Sequence, residues 1–268
     1  MKFSDKLLAA SRRNSSLLCV GLDPDPGLMP SVGFLEFNKA IVDATADLVC
    51  AYKPNLAFYE ALGIDGLGLL QRTIEHIPGH IPIIADAKRG DIGNTAKAYA
   101  KGLFSTFSFD AATVSPYLGF DSVEPFAAYK DKGVFVLCRT SNPGAVDFQS
   151  LVDARGTPLY EMVARKAQEW DVHGNIGLVV GATYPEELKL IRELCPKTLM
   201  LIPGIGAQGG DLASAVKYGA DTRGEKAIIA VSRQVIYASR GGDFAEAARR
   251  SAEELRDRIN DIVRQTGS

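Results

Sequence analysis

Eight times along the chain, a short run rich in Val, Ile and Leu gives way to turn residues and then to a longer stretch with apolar residues at helical spacing. The runs are "LLCVGL" at 17–22, "VCAYKPN" at 49–55, "IPIIADAK" at 81–88, "AATVSP" at 111–116, "VFVLCRT" at 134–140, "IGLVVGA" at 176–182, "TLMLIPG" at 198–204 and "AIIAVSR" at 227–233. Helical segments fall between them, and a last one runs from about Asp243 to Val263. Strands that are apolar almost throughout are buried on both faces, which implies a parallel sheet covered by helices. Eight such units in 268 residues fit the size of a (β/α)8 barrel, with a doubly wound open sheet as the alternative. No Pro/Gly/Ser-rich linker or shift in composition divides the sequence, so residues 1–268 read as one barrel domain.

Charge excludes several partners. Thirty basic and thirty-two acidic residues give a net charge of -2, so nothing chain-wide attracts nucleic acid or an anionic membrane. No stretch approaches the roughly 18 apolar residues of a membrane span. The opening "MKFSDKLLAASRRNSS" places charges on both sides of a short apolar run, and the cytoplasm is the expected location. Cys19, Cys50, Cys138 and Cys195 stand far apart without a C-x-x-C pair and read as reduced core thiols. His76 and His80 have the i, i+4 spacing of a helical metal pair, but Pro78-Gly79 breaks the helix that would align them, so no metal site is expected there.

The stretch "IIADAKRGD" at 83–91 carries an apolar strand directly into four charges. On the barrel skeleton Asp23 ends the first strand, Lys53 the second, and Asp86 and Lys88 the third, so all four converge on the C-terminal mouth. Neighbouring strands lie about 4.8 Å apart and residues i and i+2 share a side about 6.6 Å apart, so these side chains can form one cluster of alternating charge. A structural ion network is the plain reading of such a cluster. A site for a charged ligand better explains why two lysines follow apolar strand residues, where desolvation is costly.

Two connections are long: residues 141–157, and 204–225, the second enclosing a helix. "PGIGAQGG" at 203–210 follows the seventh strand and "VSR" at 231–233 ends the eighth, the places where barrels bind phosphate through glycine amides, a helix N-terminus and an arginine. A phosphate monoester is the implied ligand group. "GIGAQG" at 204–209 also matches the G-x-G-x-x-G dinucleotide pattern, but that pattern belongs to a first βαβ unit followed by a strand ending in an acidic residue; here the next strand ends in Ser232-Arg233.

Taken with "YKPNLAFYE" around Lys53, "TSNPGA" at 140–145, "PGIGAQGG" and the "SR" of 232–233, the signature "DAKRGDIGNTAKAY" at 86–99 resembles the orotidine 5′-phosphate decarboxylase family, in its longer bacterial subgroup. The resemblance runs from about Leu17 to Tyr237. It implies a (β/α)8 barrel acting as a homodimer, without metal or organic cofactor, that converts orotidine 5′-monophosphate to uridine 5′-monophosphate and CO2 in pyrimidine synthesis. It also implies that Lys53, Asp86, Lys88 and Asp91 form a catalytic array, Asp91 and Thr95 entering the neighbouring subunit's site. Asp23 is then expected at the ribose hydroxyls, Ser141 at the pyrimidine, and Gln208 and Arg233 at the phosphate; Gln234 stands where a small residue is expected.

The chemistry fits those residue types. Loss of CO2 from C6 of the pyrimidine leaves an electron pair in the ring plane, out of conjugation, so a fixed cation that can also donate a proton must stabilise it. Lys88 is the candidate, kept charged by flanking carboxylates. Two other functions are compatible with such a barrel: a magnesium-dependent sugar-phosphate decarboxylase or aldolase, with a Schiff-base lysine as its variant, and a non-catalytic nucleotide-binding protein. Lysines on both sides of Asp86 disfavour a divalent cation, and a mere binder gains nothing from two lysines that need compensation.

Overall fold

The structure, a computed structural model, describes residues 1–206 and 209–266. Each of the eight apolar runs coincides with a strand to within a residue or two, or encloses it: β1 Leu18–Leu22, β2 Ala51–Pro54, β3 Ile84–Arg89, β4 Ala111–Val114, β5 Gly133–Arg139, β6 Ile176–Val180, β7 Met200–Ile202 and β8 Ala227–Val231. They pair in parallel in the order β2-β1-β8-β7-β6-β5-β4-β3. Parallel bridges from Tyr52 to Ile83 and from Asn55 to Asp86 join the two ends and close the barrel, which rules out the open sheet. Some strands are shorter than their apolar runs. In "IPIIADAK" the strand begins at Ile84: Pro82 has no N–H for the ladder and the Ile83 amide donates to Asp110 Oδ2 at 2.9 Å, although the Pro82 carbonyl accepts from Tyr52 N at 3.0 Å. The closing helix spans Phe244–Thr266.

Side-chain alternation divides the core in two. One set of strand residues, Cys19, Ala51, Ile84, Ala111, Phe135, Val179, Leu201 and Ile228, packs together with Phe3 and Leu7 inside the barrel. The residues between them, such as Val20, Tyr52, Ala85, Ala112, Val136 and Ile229, face outward against the helices. The helix Phe3–Asn14 covers the N-terminal end, its Phe3 ring meeting Phe135 edge-on at 5.7 Å and 87°. Gly133 makes room for that ring, since a Cβ there would lie 2.4 Å from it. With the barrel interior closed at that end by apolar packing, the large cavity among the described residues lies at the C-terminal end.

The four cysteines are buried free thiols, and burial pushes the Cys19 thiol up to about 12 and Cys195 up to about 11. No helix among the described residues is long and apolar enough to cross a membrane.

One buried cation holds two connections together. Arg192, on the helix Pro185–Leu194, donates to the carbonyls of Gly219 at 2.5 Å, Thr198 at 2.8 Å, Lys226 at 3.1 Å and Cys195 at 3.2 Å. These carbonyls lie at the ends of two helices and at the entries to β7 and β8, so the five N–H donors of one guanidinium satisfy backbone that the strands cannot. Burial lowers its pKa to about 10, which leaves it charged at neutral pH. Replacing Arg192 with Leu strands those acceptors, and we expect a loss of roughly 2–4 kcal/mol in a denaturant titration, with Arg192→Lys intermediate.

Candidate active site

The interior lanes that begin as apolar packing end as polar groups two residues later. Cys19 is followed by Gly21 and Asp23, Ala51 by Lys53 and Asn55, Ile84 by Asp86, Ala111 by Thr113, and Ala230 by Ser232. These residues line a cavity of about 750 Å³ at the C-terminal mouth. The strand period of two therefore delivers the functional groups, and the apolar layer beneath excludes water from the floor.

At the floor, Asp86 bridges two ammonium groups. Its Oδ2 accepts from Lys53 Nζ at 2.9 Å and its Oδ1 from Lys88 Nζ at 2.7 Å. Lys53 is only 7% exposed, whereas half of the Lys88 side chain is open to the cavity. Burial alone would raise the Asp86 pKa, but the charges of Lys53 and Lys88 and their hydrogen bonds outweigh it and hold the carboxyl well below its usual range. Burial likewise works against a charged Lys53, yet Asp86 and Asp23 raise its pKa above the ordinary value for lysine. Both groups are thus ionised throughout the neutral range.

Lys88 does not reach Asp86 by simple alternation, as the sequence spacing had suggested. Its backbone is left-handed, with φ 47°, and the β3–β4 register slips here, from Ala85 opposite Ala112 to Arg89 opposite Val114. This bulge swings the Lys88 side chain back over Asp86. Thr113 Oγ1 accepts from the amides of Ala87 and Lys88 at 3.0 and 2.9 Å and donates to Asp86 Oδ1 at 3.1 Å. Sequence reading missed Thr113; its place two residues beyond Ala111, level with Lys53 and Asp86, is the signal that could have found it.

The rest of the rim is fastened by neighbouring side chains. Asp23 Oδ1 accepts from Asn55 N at 3.1 Å, and Tyr237 Oη donates to the Asp23 carbonyl at 2.8 Å while accepting from Asp25 N at 2.5 Å. Ser141 lies on the cavity wall, with its carbonyl taking Thr183 Oγ1 at 3.2 Å. Gly181 allows that approach, because a Cβ there would sit 2.7 Å from the Ser141 backbone. Gln149, from the long 141–157 connection, clasps Thr140 twice at 2.8 Å, through its backbone N–H and its hydroxyl. Behind it Arg139 pairs with Glu187 and lies 3.7 Å from the Tyr184 ring centre. Neither Gln149 nor Tyr237 carries a sequence motif.

Arg233 lines the opposite side of the cavity with Pro203, Gly204 and Gln234, and Gln208 lies outside the described residues. The helix after the glycine-rich segment, Leu212–Gly219, has its N-terminus capped by its own Asp211, which accepts from Ser214 N at 2.7 Å. The chain's own Asp211 carboxylate thus caps the helix expected to face a phosphate after β7. Gln234 reaches over Gly206: a Cβ on that glycine would lie 2.9 Å from Gln234 Oε1. Asp91 and Thr95 do not line this cavity; Asp91 Oδ1 accepts from Ile92 N at 2.8 Å, and Thr95 is exposed on the helix Gly93–Lys101. Among the described residues no group of three His, Cys, Asp or Glu is placed to hold a metal ion.

A closed eight-stranded barrel with a lysine–aspartate–lysine floor and an arginine at the rim after β8 defines a barrel enzyme class that acts on small anionic substrates. The family model of orotidine 5′-phosphate decarboxylase / HUMPS matches residues 16–250, and the chain belongs to that family. Proteins named orotidine 5′-phosphate decarboxylase are similar along nearly the whole chain. That of Dehalococcoides mccartyi is 57% identical, covering 97% of this chain and 98% of the relative. That of Roseiflexus castenholzii is 52% identical, covering 98% and 99%. Among solved structures, Leishmania donovani OMP decarboxylase superposes with a TM-score of 0.88 at 42% identity, over 98% of this chain and 99% of that one.

The two displaced pKa values fix a pH window for stability. Asp86, depressed in the fold, contributes fully above the ordinary carboxylate range near 4 and loses that contribution as pH falls through its folded value. Lys53, raised in the fold, contributes below the ordinary lysine value near 10.4 and loses it as pH rises through its folded value. Asp86→Asn should therefore destabilise the protein by roughly 2–4 kcal/mol at pH 7, and the gap to wild type should narrow below about pH 4. A gap independent of pH would show that the carboxylate charge is not what holds Lys53.

Proposed function

We propose that the chain, acting as one barrel domain, decarboxylates orotidine 5′-monophosphate to uridine 5′-monophosphate and CO2, with Lys88 as the catalytic cation and proton donor. The observation that carries this reading is the Lys88 ammonium standing open to the cavity while Asp86 anchors it. The bond from C6 to the carboxylate breaks, CO2 departs, and the electron pair stays on C6 in the ring plane. Lys88 stabilises that pair electrostatically and then gives it a proton, recovering its own from solvent. Asp23 is assigned to the ribose hydroxyls, Ser141 to the pyrimidine and Arg233 to the phosphate, a reading supported by their lining one cavity, and phosphate binding energy would hold the floor and rim together around C6. Gln208 is assigned to the phosphate from its motif alone.

The reading uses only this chain's side chains. Both Asp86 oxygens already accept from ammonium groups, which leaves that carboxylate poorly suited to ligate a divalent cation. Free buried thiols agree with a reducing, cytoplasmic setting.

The active unit is a homodimer with shared sites. Asp91 and Thr95 do not line their own cavity; they lie on a segment where Ile92 is 53% exposed and Tyr99 is exposed, and Tyr117 and Leu118 are exposed further along the chain. A patch of that kind suits a second copy, which would bring Asp91 to the neighbour's Lys88.

Two measurements test this. Orotidine 5′-monophosphate mixed with the pure protein should lose its absorbance at an unchanged rate in the presence of a chelator, and Lys88→Ala should abolish the loss; turnover by Lys88→Ala, or dependence on a metal, contradicts the assignment. Coexpressed Lys88→Ala and Asp91→Ala chains should recover about a quarter of full activity, because half of the dimers are mixed and each carries one intact site. No recovery would mean that Asp91 serves its own chain.

A further inference from the structure

Thr113 Oγ1 is the point where the carboxylate of Asp86 and the backbone of Lys88 meet. Thr113 is 1% exposed and sits on β4 beside the bulge in β3. Its hydroxyl accepts from Ala87 N at 3.0 Å and Lys88 N at 2.9 Å, and contacts Asp86 Oδ1 at 3.1 Å. A hydroxyl has two acceptor lone pairs and one hydrogen. Two amides must donate to it, so its own hydrogen has one destination, Asp86 Oδ1. That oxygen already takes Lys88 Nζ at 2.7 Å, and its twin takes Lys53 Nζ at 2.9 Å, so every contact of this carboxylate requires it ionised.

We propose that Thr113 is a positioning residue for the decarboxylation: its hydroxyl fixes both the ionised Asp86 and the left-handed backbone of Lys88, and so sets where the Lys88 ammonium stands. The proposal rests on the assignment of Lys88 to the reacting carbon. At the bulge, β3 advances four residues while β4 advances two, from Ala85–Ala112 to Arg89–Val114. The amides of Ala87 and Lys88 are received there by a side chain, and Lys88 keeps φ 47°, a conformation unfavourable for a residue with a Cβ unless its surroundings enforce it. Valine would fill the same volume on a buried strand but has no lone pair for the amides and no hydrogen for Asp86. Serine keeps both. The residues assigned to phosphate and ribose, Arg233 and Asp23, are outside this network, so its loss should be felt at C6 and not in substrate affinity.

Steady-state kinetics of the full-length protein on orotidine 5′-monophosphate distinguish positioning from mere packing. Thr113→Val should lower kcat by at least about tenfold, equivalent to about 1.4 kcal/mol in the barrier, with KM within about threefold of wild type. Thr113→Ser should restore kcat to within about threefold of wild type. If Thr113→Val does not fold, the pair Thr113→Ala and Thr113→Ser makes the same comparison of hydroxyl against none. A hydroxyl-free variant with unchanged kcat, a Ser variant as impaired as Val or Ala, or a loss carried by KM would each overturn the proposal. Lys88→Ala in the same series separates the two levels: its continued turnover would remove the catalytic assignment, whereas an inactive Lys88→Ala beside a fully active Thr113→Val would remove only the role of Thr113.

Discussion

The carboxylate of Asp86 is the interaction on which the rest of the site depends. It holds two ammonium groups, 2.9 and 2.7 Å from its separate oxygens, together with a threonine hydroxyl at 3.1 Å. Lys53 is nearly enclosed, and an ammonium in that position is tolerable only beside a partner that stays charged. Lys88 is half open and available to a ligand. One anion thus supports a buried cation that shapes the floor and an accessible one that can do chemistry. The surrounding barrel supplies the dry layer of Cys19, Ala51, Ile84 and Phe135 beneath, which makes these charges count for more than they would in water.

Much of this was legible in the sequence because strands have a period of two and barrels gather strand ends. Six of the eight strands lie within the apolar runs and the other two, β3 and β5, overrun theirs by one residue; Lys53 and Asp86 fall on the cavity side for the same reason that Ala51 and Ile84 fall in the core. The family signature around 86–99 added the expected roles. The bulge at Lys88 escaped notice because a left-handed lysine has no compositional mark of the kind that glycine gives a turn. Arg139 was hidden by a similar slip: Leu137 pairs with Val179 and Arg139 with Val180, which turns the arginine out of the cavity lane toward Glu187 and Tyr184. Thr113 and Tyr237 act through hydrogen bonds between residues distant in the chain, and Gln149 folds back on Thr140 nine residues earlier; no local pattern records such bonds.

The segment after β7 teaches the opposite lesson. Its glycines look like a phosphate cradle, and the helix that follows looks like the matching positive end, yet that helix is capped by its own Asp211. Among the described residues, Gly204, Arg233 and Gln234 line the cavity on this side. A motif states which backbone shapes are allowed, whereas the neighbouring side chains decide which donors stay available.

The central claim is electrostatic: the Lys88 ammonium stabilises negative charge in the ring plane at C6. It is tested most directly by comparing, in wild type and Lys88→Ala, the dissociation constants of two uridine 5′-monophosphate analogues, one with a permanent anionic oxygen on C6 and one neutral there. Wild type should prefer the anionic analogue by several orders of magnitude, and Lys88→Ala should lose most of that preference while binding the neutral analogue about as well as before. An equal preference in both proteins would contradict the account.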